Sequence, residues 1–160
     1  MKYLKELKIK LVKSHYKNPV KGQVRGPEQV YKVFRSIKDY AKETLIGVYL
    51  DNDMEVRAYD VLSIGTENEA LFSAIEVLEH AIILKSRYFI LLHNHPSGDP
   101  TPSDYDRKSM MELMKKSQAM DRVFLDFIIV GDVNENSMKK NYWSMFEEAE
   151  GGEYTLGGII

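Results

Sequence analysis

The chain has 160 residues, of which 44% are hydrophobic, and its 22 basic and 24 acidic side chains leave a formal net charge of −2. This size predicts a single domain with a useful hydrophobic core. The balanced charge gives no basic excess of the kind that sequence-independent nucleic-acid binding requires. Cysteine is absent, which excludes disulfides and thiolate metal sites, so a metal ion would be held by histidine, aspartate, glutamate or water.

The apolar segments of the sequence limit where the protein is expected to be located and which partners it is expected to have. No run approaches the roughly 18 apolar residues of a membrane span, and the N-terminus has no signal-peptide core. We therefore expect a cytoplasmic protein with no membrane partner. The oligomeric state does not follow from the sequence.

Residues 1–26 form a basic N-terminal segment. It contains eight basic residues, namely Lys2, Lys5, Lys8, Lys10, Lys13, Lys17, Lys21 and Arg25. Leu7, Ile9 and Leu11 alternate with lysines, a pattern typical of a short edge strand with charges on its open side. A basic arm that contacts nucleic acid is the alternative interpretation.

The next stretch predicts a helix followed by two paired strands. Pro27 suits the first helical position, and apolar residues then recur at helical spacing to about residue 42. Residues 44–50 predict a buried strand, and a turn at 51–53 leads into a second strand over 54–64. The short turn indicates that these strands pair as a hairpin.

The second half predicts two helices that alternate with two strands. A helix over 68–85 would bury one apolar face, formed by Leu71, Ala74, Ile75, Leu78 and Ile82. A strand over 87–92 follows, then a helix from Ser103 through Met120 with Met110, Met111, Leu113 and Met114 as its apolar content. The next predicted strand covers 122–130. Residues 133–149 predict an irregular element that packs Tyr142, Trp143 and Phe146 on the sheet, and glycine-rich residues 150–160 predict a flexible tail.

These elements together predict an α/β fold, with a mixed, partly antiparallel sheet flanked by helices.

Most candidate metal-binding and catalytic residues lie in residues 91–106, which read L-L-H-N-H-P-S-G-D-P-T-P-S-D-Y-D. His93 and His95 would end a strand on one face, since side chains two apart point the same way. Two histidines and a nearby carboxylate suit a divalent cation and, in catalytic zinc sites, leave a fourth position for water. A purely structural interpretation is available, because Ser103 followed by Asp106 resembles a helix capping box.

The spacing H-x-H, seven residues, Ser, two residues, Asp resembles the JAMM signature of the JAB/MPN metallopeptidase superfamily. The string HNHPSGDPTPS resembles its RadC branch in particular. This resemblance implies a JAB/MPN domain over residues 27–149, with a curved sheet similar to that of cytidine deaminases. RadC proteins typically carry a helix-hairpin-helix region, and with only 42 residues before Glu43 the chain is expected to lack it.

The resemblance also implies a mechanism. His93, His95 and Asp106 would hold Zn²⁺, with water as the fourth ligand and as the nucleophile. Glu43, at the position of the superfamily's catalytic glutamate, would act as general base, and Ser103 would stabilise the oxyanion. Asp106 is preferred over Asp99 and Asp104 because it matches the motif. The implied activity is hydrolysis of a peptide or isopeptide bond in a peptide or protein substrate.

Two other functions stay open. One is a DNA-repair-associated role that involves nucleic acid, and the other is a non-catalytic MPN-type scaffold that binds a protein. The sequence also departs from the family at Phe127, because RadC-like sequences commonly have Asp-His where this chain has Asp126-Phe127.

The DNA-associated alternative predicts strongly salt-dependent binding through residues 2–21. We expect weak or no binding of duplex DNA at physiological salt, because the chain has no overall basic excess. A salt titration followed by fluorescence anisotropy measures this. Tight binding that disappears when the lysines of this segment are neutralised would favour the DNA-associated function instead.

Overall fold

The computed structural model describes residues 10–14, 22–65, 72–133 and 140–149. In chain order they form α1 (Pro27–Phe34), a 3₁₀ helix (Arg35–Asp39), β1 (Thr44–Leu50), β2 (Val56–Ile64), α2 (Ala74–Ile83), β3 (Tyr88–Asn94), α3 (Asp104–Ala119), β4 (Val123–Val130), β5 (Tyr142–Ser144) and α4 (Met145–Ala149). The predicted α/β class is confirmed.

The five strands form one open sheet in the order β2-β1-β3-β4-β5. β1 pairs antiparallel with both β2 and β3, so the predicted hairpin is confirmed. β3 and β4 are parallel, and β5 returns antiparallel to β4. The sheet is therefore mixed, as predicted, and β3 lies at its centre with every residue from Phe89 to Asn94 buried.

Side chains alternate between two hydrophobic layers, one on each face of the sheet. Along β1, Ile46 and Val48 pack with α1, while Leu45 and Tyr49 pack with α2 and α3. This alternation follows from the two-residue period of a strand. The same rule places His93 on the α2–α3 side, because His93 pairs directly with Leu45.

The residues at the start of α3 explain why the helix begins there. Ser103 is the N-cap, its hydroxyl accepts from the Asp106 N–H, and the Asp106 carboxylate accepts from the Ser103 N–H. This capping box satisfies two backbone donors that a helix start leaves open. Met110, Leu113 and Ser117 then bury one face of the helix against the sheet.

Two details of the predicted helices are wrong. The first helix does not continue to residue 42, because α1 ends at Phe34 and becomes a 3₁₀ helix that ends at Asp39. The carbonyls of Tyr40 and Lys42 instead accept hydrogen bonds from the Asn94 side chain, which holds the chain out of a helix there.

The predicted apolar faces of α2 and α3 are also partly wrong. Ile75 and Met111 are 60% and 59% exposed, and Ile82 is exposed as well. α2 buries the predicted Ala74 and Leu78, but together with Val77 and Ala81. The predicted Leu71 lies outside the described residues. Its sequence, AIEVLEHAII, is apolar on more than one side, so periodicity does not select the buried face.

The ends of the chain are only partly described. Residues 10–14 form no strand, and the rest of the predicted edge strand and the tail at 150–160 lie outside the described residues. The predicted core packing of Tyr142 and Phe146 is confirmed, and Trp143 is partly buried. Within the described ranges no helix is long and apolar enough to cross a membrane.

The buried face of α3 gives a stability prediction. Leu113→Ala should lower the free energy of unfolding by about 2–5 kcal/mol, because it removes a fully buried side chain and leaves a cavity. Met111→Ala, on the exposed face of the same helix, should change it by no more than about 0.5 kcal/mol. Urea denaturation measures both, and equal effects would show that the helix buries a different face.

Candidate metal centre

The sheet brings His93 and His95 together at the end of β3. His93 lies within the strand and is completely buried, while His95 follows it and donates its backbone N–H to the carbonyl of Val130 on β4. The two ring centroids are 4.8 Å apart. The shared face that the H-x-H pattern predicts is therefore present.

Hydrogen bonds at Nδ1 determine which imidazole nitrogen is available to a ligand. His95 Nδ1 lies 2.7 Å from the backbone carbonyl oxygen of Asp99, which can only accept, so this nitrogen carries a proton. His93 Nδ1 lies 2.5 Å from Glu43 Oε1 and donates to that carboxylate. In the neutral form of each ring the lone pair is therefore on Nε2.

Both Nε2 atoms are directed at Asp106. His93 Nε2 lies 3.7 Å from Asp106 Oδ1, and His95 Nε2 lies 3.5 Å from Asp106 Oδ2. His93 Nε2 is fully buried and has no hydrogen-bond partner among the described residues. A buried nitrogen without a partner is costly unless something else occupies its lone pair. A cation between these three groups would do so.

The Asp106 carboxylate is buried and strongly held as an anion. Burial by itself would raise its pKa, but the hydrogen bond to His95, the charge of His93 and the bonds from Ser103 together lower the pKa to about 2. Ser103 donates both its N–H, at 2.7 Å, and its hydroxyl, at 2.6 Å, to Asp106 Oδ2. Asp106 is therefore ionised at neutral pH.

His95 is polarised by the same carboxylate. Burial lowers its pKa, but Asp106, the carbonyl of Asp99 and the negative charge of Glu43 outweigh burial and raise it above the usual value. A proton and a metal ion would therefore compete for His95 Nε2, since an imidazole must be deprotonated to coordinate a metal.

Glu43 completes the cluster from the adjacent strand. It immediately precedes β1, and its side chain is 31% exposed, in contrast to the buried His93. Ligand atoms of Glu43, His93, His95 and Asp106 all lie within 4.8 Å of one another. Two imidazole nitrogens and carboxylate oxygens form a donor set that fits a divalent metal ion.

Asn94 is a residue of the site that sequence reasoning missed. It lies between the two histidines and points to the opposite face. Its Oδ1 accepts from the Thr44 N–H at 2.8 Å, and its amide donates to the carbonyls of Tyr40 and Lys42. Asn94 thus positions the segment that carries Glu43. The alternation within H-N-H was the available signal, because a buried amide in a strand must find partners.

The loop after His95 is fixed against the end of β4. Gly98 has a φ of +81°, and its carbonyl accepts from the Asp132 N–H at 2.8 Å. A Cβ at Gly131 would collide with the carbonyl oxygen of Gly98 and come within 2.7 Å of Pro100. Glycine is therefore required at 131 for the loop to lie this close and present the Asp99 carbonyl to His95.

The other carboxylates of this loop have separate roles. The Asp99 side chain accepts from the Thr101 N–H and hydroxyl, which closes a local turn. Asp104 is exposed in the first turn of α3. The structure therefore places Asp106, and neither of its two rivals, beside the histidines.

Phe127 packs against His93 from the neighbouring strand. Its ring is completely buried, with its centroid 4.9 Å from that of His93 and the two planes at 62°. An aromatic side chain at this position supports the imidazole by an edge-to-face contact. It contributes no proton donor or acceptor to the site.

Asn94 gives a prediction that separates positioning from metal ligation. Asn94→Ala should lower the free energy of unfolding by about 1–3 kcal/mol, because the buried Thr44 N–H loses its acceptor. It should also weaken the bond between Glu43 and His93 Nδ1, which long-range ¹H–¹⁵N NMR of the imidazoles would show. Asn52→Ala, in an exposed turn, is the control. An unchanged imidazole spectrum in Asn94→Ala would contradict the positioning role.

Known proteins share this sequence pattern. The family model for the RadC-like JAB domain matches residues 24–148. A UPF0758 protein of Methanosarcina mazei is 33% identical over 120 residues, which are 74% of this chain and 52% of that protein. A UPF0758 protein of Streptococcus agalactiae serotype III is 30% identical over 151 residues, 94% of this chain and 63% of that protein.

The chain thus spans between about half and two thirds of the length of these relatives. The family match covers α1 through most of α4 and includes the four clustered side chains. With its mixed five-stranded sheet and the histidine pair at the end of β3, the chain belongs to the RadC-like JAB domain family.

Proposed function

We propose that this protein is a zinc-dependent hydrolase of peptide or isopeptide bonds. The observation that supports it most is the convergence of His93 Nε2, His95 Nε2 and the Asp106 carboxylate, with each Nδ1 atom already bound. Such partners at Nδ1 orient histidines for metal coordination and raise their basicity.

The donor set favours zinc over harder cations. Ca²⁺ and Mg²⁺ prefer six or more oxygen ligands, whereas two imidazoles and one carboxylate suit Zn²⁺. His93, His95 and Asp106 would hold the ion, which leaves one of four positions for water, as in catalytic sites. Zinc held there would lower the pKa of bound water to about 7 and so would supply hydroxide at neutral pH.

Glu43 is the proposed general base. It lies beside the ligands without being buried with them, so one of its oxygens can hold His93 while the carboxylate keeps capacity to accept a proton. It would pass that proton to the leaving nitrogen. General-base catalysis of this kind contributes typically about 10²–10⁴-fold.

Ser103 has a structural role and a catalytic role in this proposal. Its backbone N–H and hydroxyl hold Asp106 in place, and its hydroxyl also begins α3. For the hydroxyl to donate to a developing oxyanion it must turn away from Asp106 Oδ2, while the backbone N–H keeps the carboxylate in position. One such donor is worth about 10²–10³ in rate.

The substitution Glu43→Gln tests the general base. The Gln carbonyl can still accept from His93 Nδ1–H, so zinc should stay near one per chain and stability should change little. Hydrolysis should fall by about 10² or more, because the amide is not basic. Glu43→Ala, which also removes the acceptor, should lower zinc affinity in addition.

The assay uses a library of denatured proteins and isopeptide-linked peptides in H₂¹⁸O, with new labelled carboxylates counted by mass spectrometry. Zinc content is measured by atomic emission. His95→Ala should lose zinc and activity together, and Glu79→Gln, exposed on α2, is the matched control. Unchanged turnover in Glu43→Gln would contradict the mechanism, and zinc binding without hydrolysis by the unmodified protein would favour the scaffold function.

A further inference from the structure

A second cluster of polar side chains lies between β1, β2 and α2, outside the candidate metal centre. Its members are Tyr49 of β1, Asp60 of β2, and Glu76 and His80 of α2. Tyr49 lies four residues beyond Leu45, which pairs with His93, and it packs on the same face of the sheet. The two groups share no residue, so the cluster is a separate feature of that face.

The Tyr49 hydroxyl is buried without a hydrogen-bond partner. The side chain is completely buried, and no described residue forms a hydrogen bond with its oxygen, although buried hydroxyls normally have one. A Cβ at Gly47 would lie 2.7 Å from this oxygen. Gly47 pairs with Asp60, and paired residues of antiparallel strands have side chains on the same face. The hydroxyl is therefore directed into the space beside Asp60.

The His80 imidazole covers the same space from α2. Its ring meets that of Tyr49 edge to face, with centroids 6.4 Å apart. His80 Nδ1 is buried and lies 3.1 Å from Asp60 Oδ2, yet it forms no hydrogen bond with any described residue. At this distance the bond fails because the oxygen lies off the in-plane axis of the nitrogen. Two polar atoms beside Asp60 thus lack a partner.

The positions of His80 Nδ1 and Asp60 Oδ2 suit two ligands of one metal ion. Ligand atoms held at about 2.0–2.2 Å from a single zinc ion lie roughly 3.0–3.5 Å apart. The ion then lies on the axis of the nitrogen lone pair, and the oxygen lies to one side of that axis. Glu76 precedes His80 by one turn on the same face of α2, and its exposed carboxylate can turn toward such an ion.

We propose that Asp60, Glu76 and His80 form a second site for a divalent cation, which would link α2 to β2. His80 Nδ1 and one oxygen of each carboxylate would bind the ion, and water would complete the coordination. An imidazole ligand favours ions such as Zn²⁺ over Ca²⁺ and Mg²⁺.

Tyr49 has a supporting role in this site. Burial and the negative charges of Asp60 and Glu76 raise the pKa of Tyr49, so its hydroxyl keeps its proton. It would accept a hydrogen bond from water on the ion, which gives the buried oxygen the partner that it lacks.

The second site is expected to be weaker than the metal centre, because only two of its ligand atoms lie close together before the ion binds. It should fill only when Zn²⁺ is added, so the purified protein still holds about one zinc ion per chain. The side chains of His80 and Asp60 are 30% and 51% exposed, which gives an ion access from solvent. This inference does not rest on the hydrolase activity.

Calorimetric titration of the full chain with Zn²⁺ tests the site. Two classes of binding are expected, each near one ion per chain. His80→Ala should remove only the weaker class, and the weaker class should persist in His95→Ala, so failure of the metal centre and failure of this site give different results. His15→Ala, which removes the remaining histidine of the chain, is the matched control and should keep both classes.

The substitution Tyr49→Phe tests the role of the hydroxyl. It should weaken the second class by about two- to tenfold, the effect of one hydrogen bond. Without zinc its melting temperature should not fall, because the hydroxyl has no partner to lose. Tyr105→Phe, at an exposed tyrosine of α3, should change neither quantity.

Three results would overturn the proposal. One is that His80→Ala alters no class of zinc binding, and a second is that His15→Ala removes the weaker class. The third is that the Nδ1 resonance of His80 in long-range ¹H–¹⁵N NMR does not move at saturating Zn²⁺. A shift of that resonance that is absent in Asp60→Asn would support the shared ion.

Discussion

The Nδ1 hydrogen bonds of His93 and His95 are the constraint on which the candidate metal centre depends. Glu43 and the carbonyl of Asp99 take the Nδ1 protons, so both Nε2 lone pairs are directed at Asp106. Without these two acceptors each ring could adopt the other tautomer or turn away, and the two histidines at the end of β3 would not converge on Asp106 of α3.

Different parts of the fold hold the two acceptors, Glu43 and the Asp99 carbonyl, in place. Antiparallel pairing of Leu45 with His93 brings β1 beside the histidines, and Asn94 holds the segment that leads into it. On the other side, the close contact of Gly98 with Gly131 holds the loop against β4. Both faces of the central strand therefore contribute at its end: the imidazoles lie on one face, and on the other lies the Asn94 amide, which positions the segment that carries Glu43.

The sequence predicted the architecture because its strands have strong signals: a hairpin turn between β1 and β2, and apolar runs that end in H-x-H. It predicted the buried face of α2 only in part, because AIEVLEHAII is apolar on more than one side and only packing selects Val77 and Ala81 over Ile75 and Ile82. The sequence also did not predict the hydrogen-bond partners of Asn94 or the bond between His95 and the carbonyl of Asp99. Such backbone acceptors depend on tertiary geometry, which residue types do not encode.

Ser103 shows that the structural and the catalytic interpretations of this motif are compatible. As N-cap it must keep its hydroxyl near the first turn of α3, and in the proposed mechanism it must also be able to donate elsewhere. Two separate donors of Ser103 hold the same oxygen of Asp106, the hydroxyl and the backbone N–H. Because the N–H also bonds Asp106 Oδ2, the hydroxyl can turn while the carboxylate keeps one hydrogen bond to Ser103. A capping box built on a serine therefore gives this helix start a movable donor beside a fixed carboxylate.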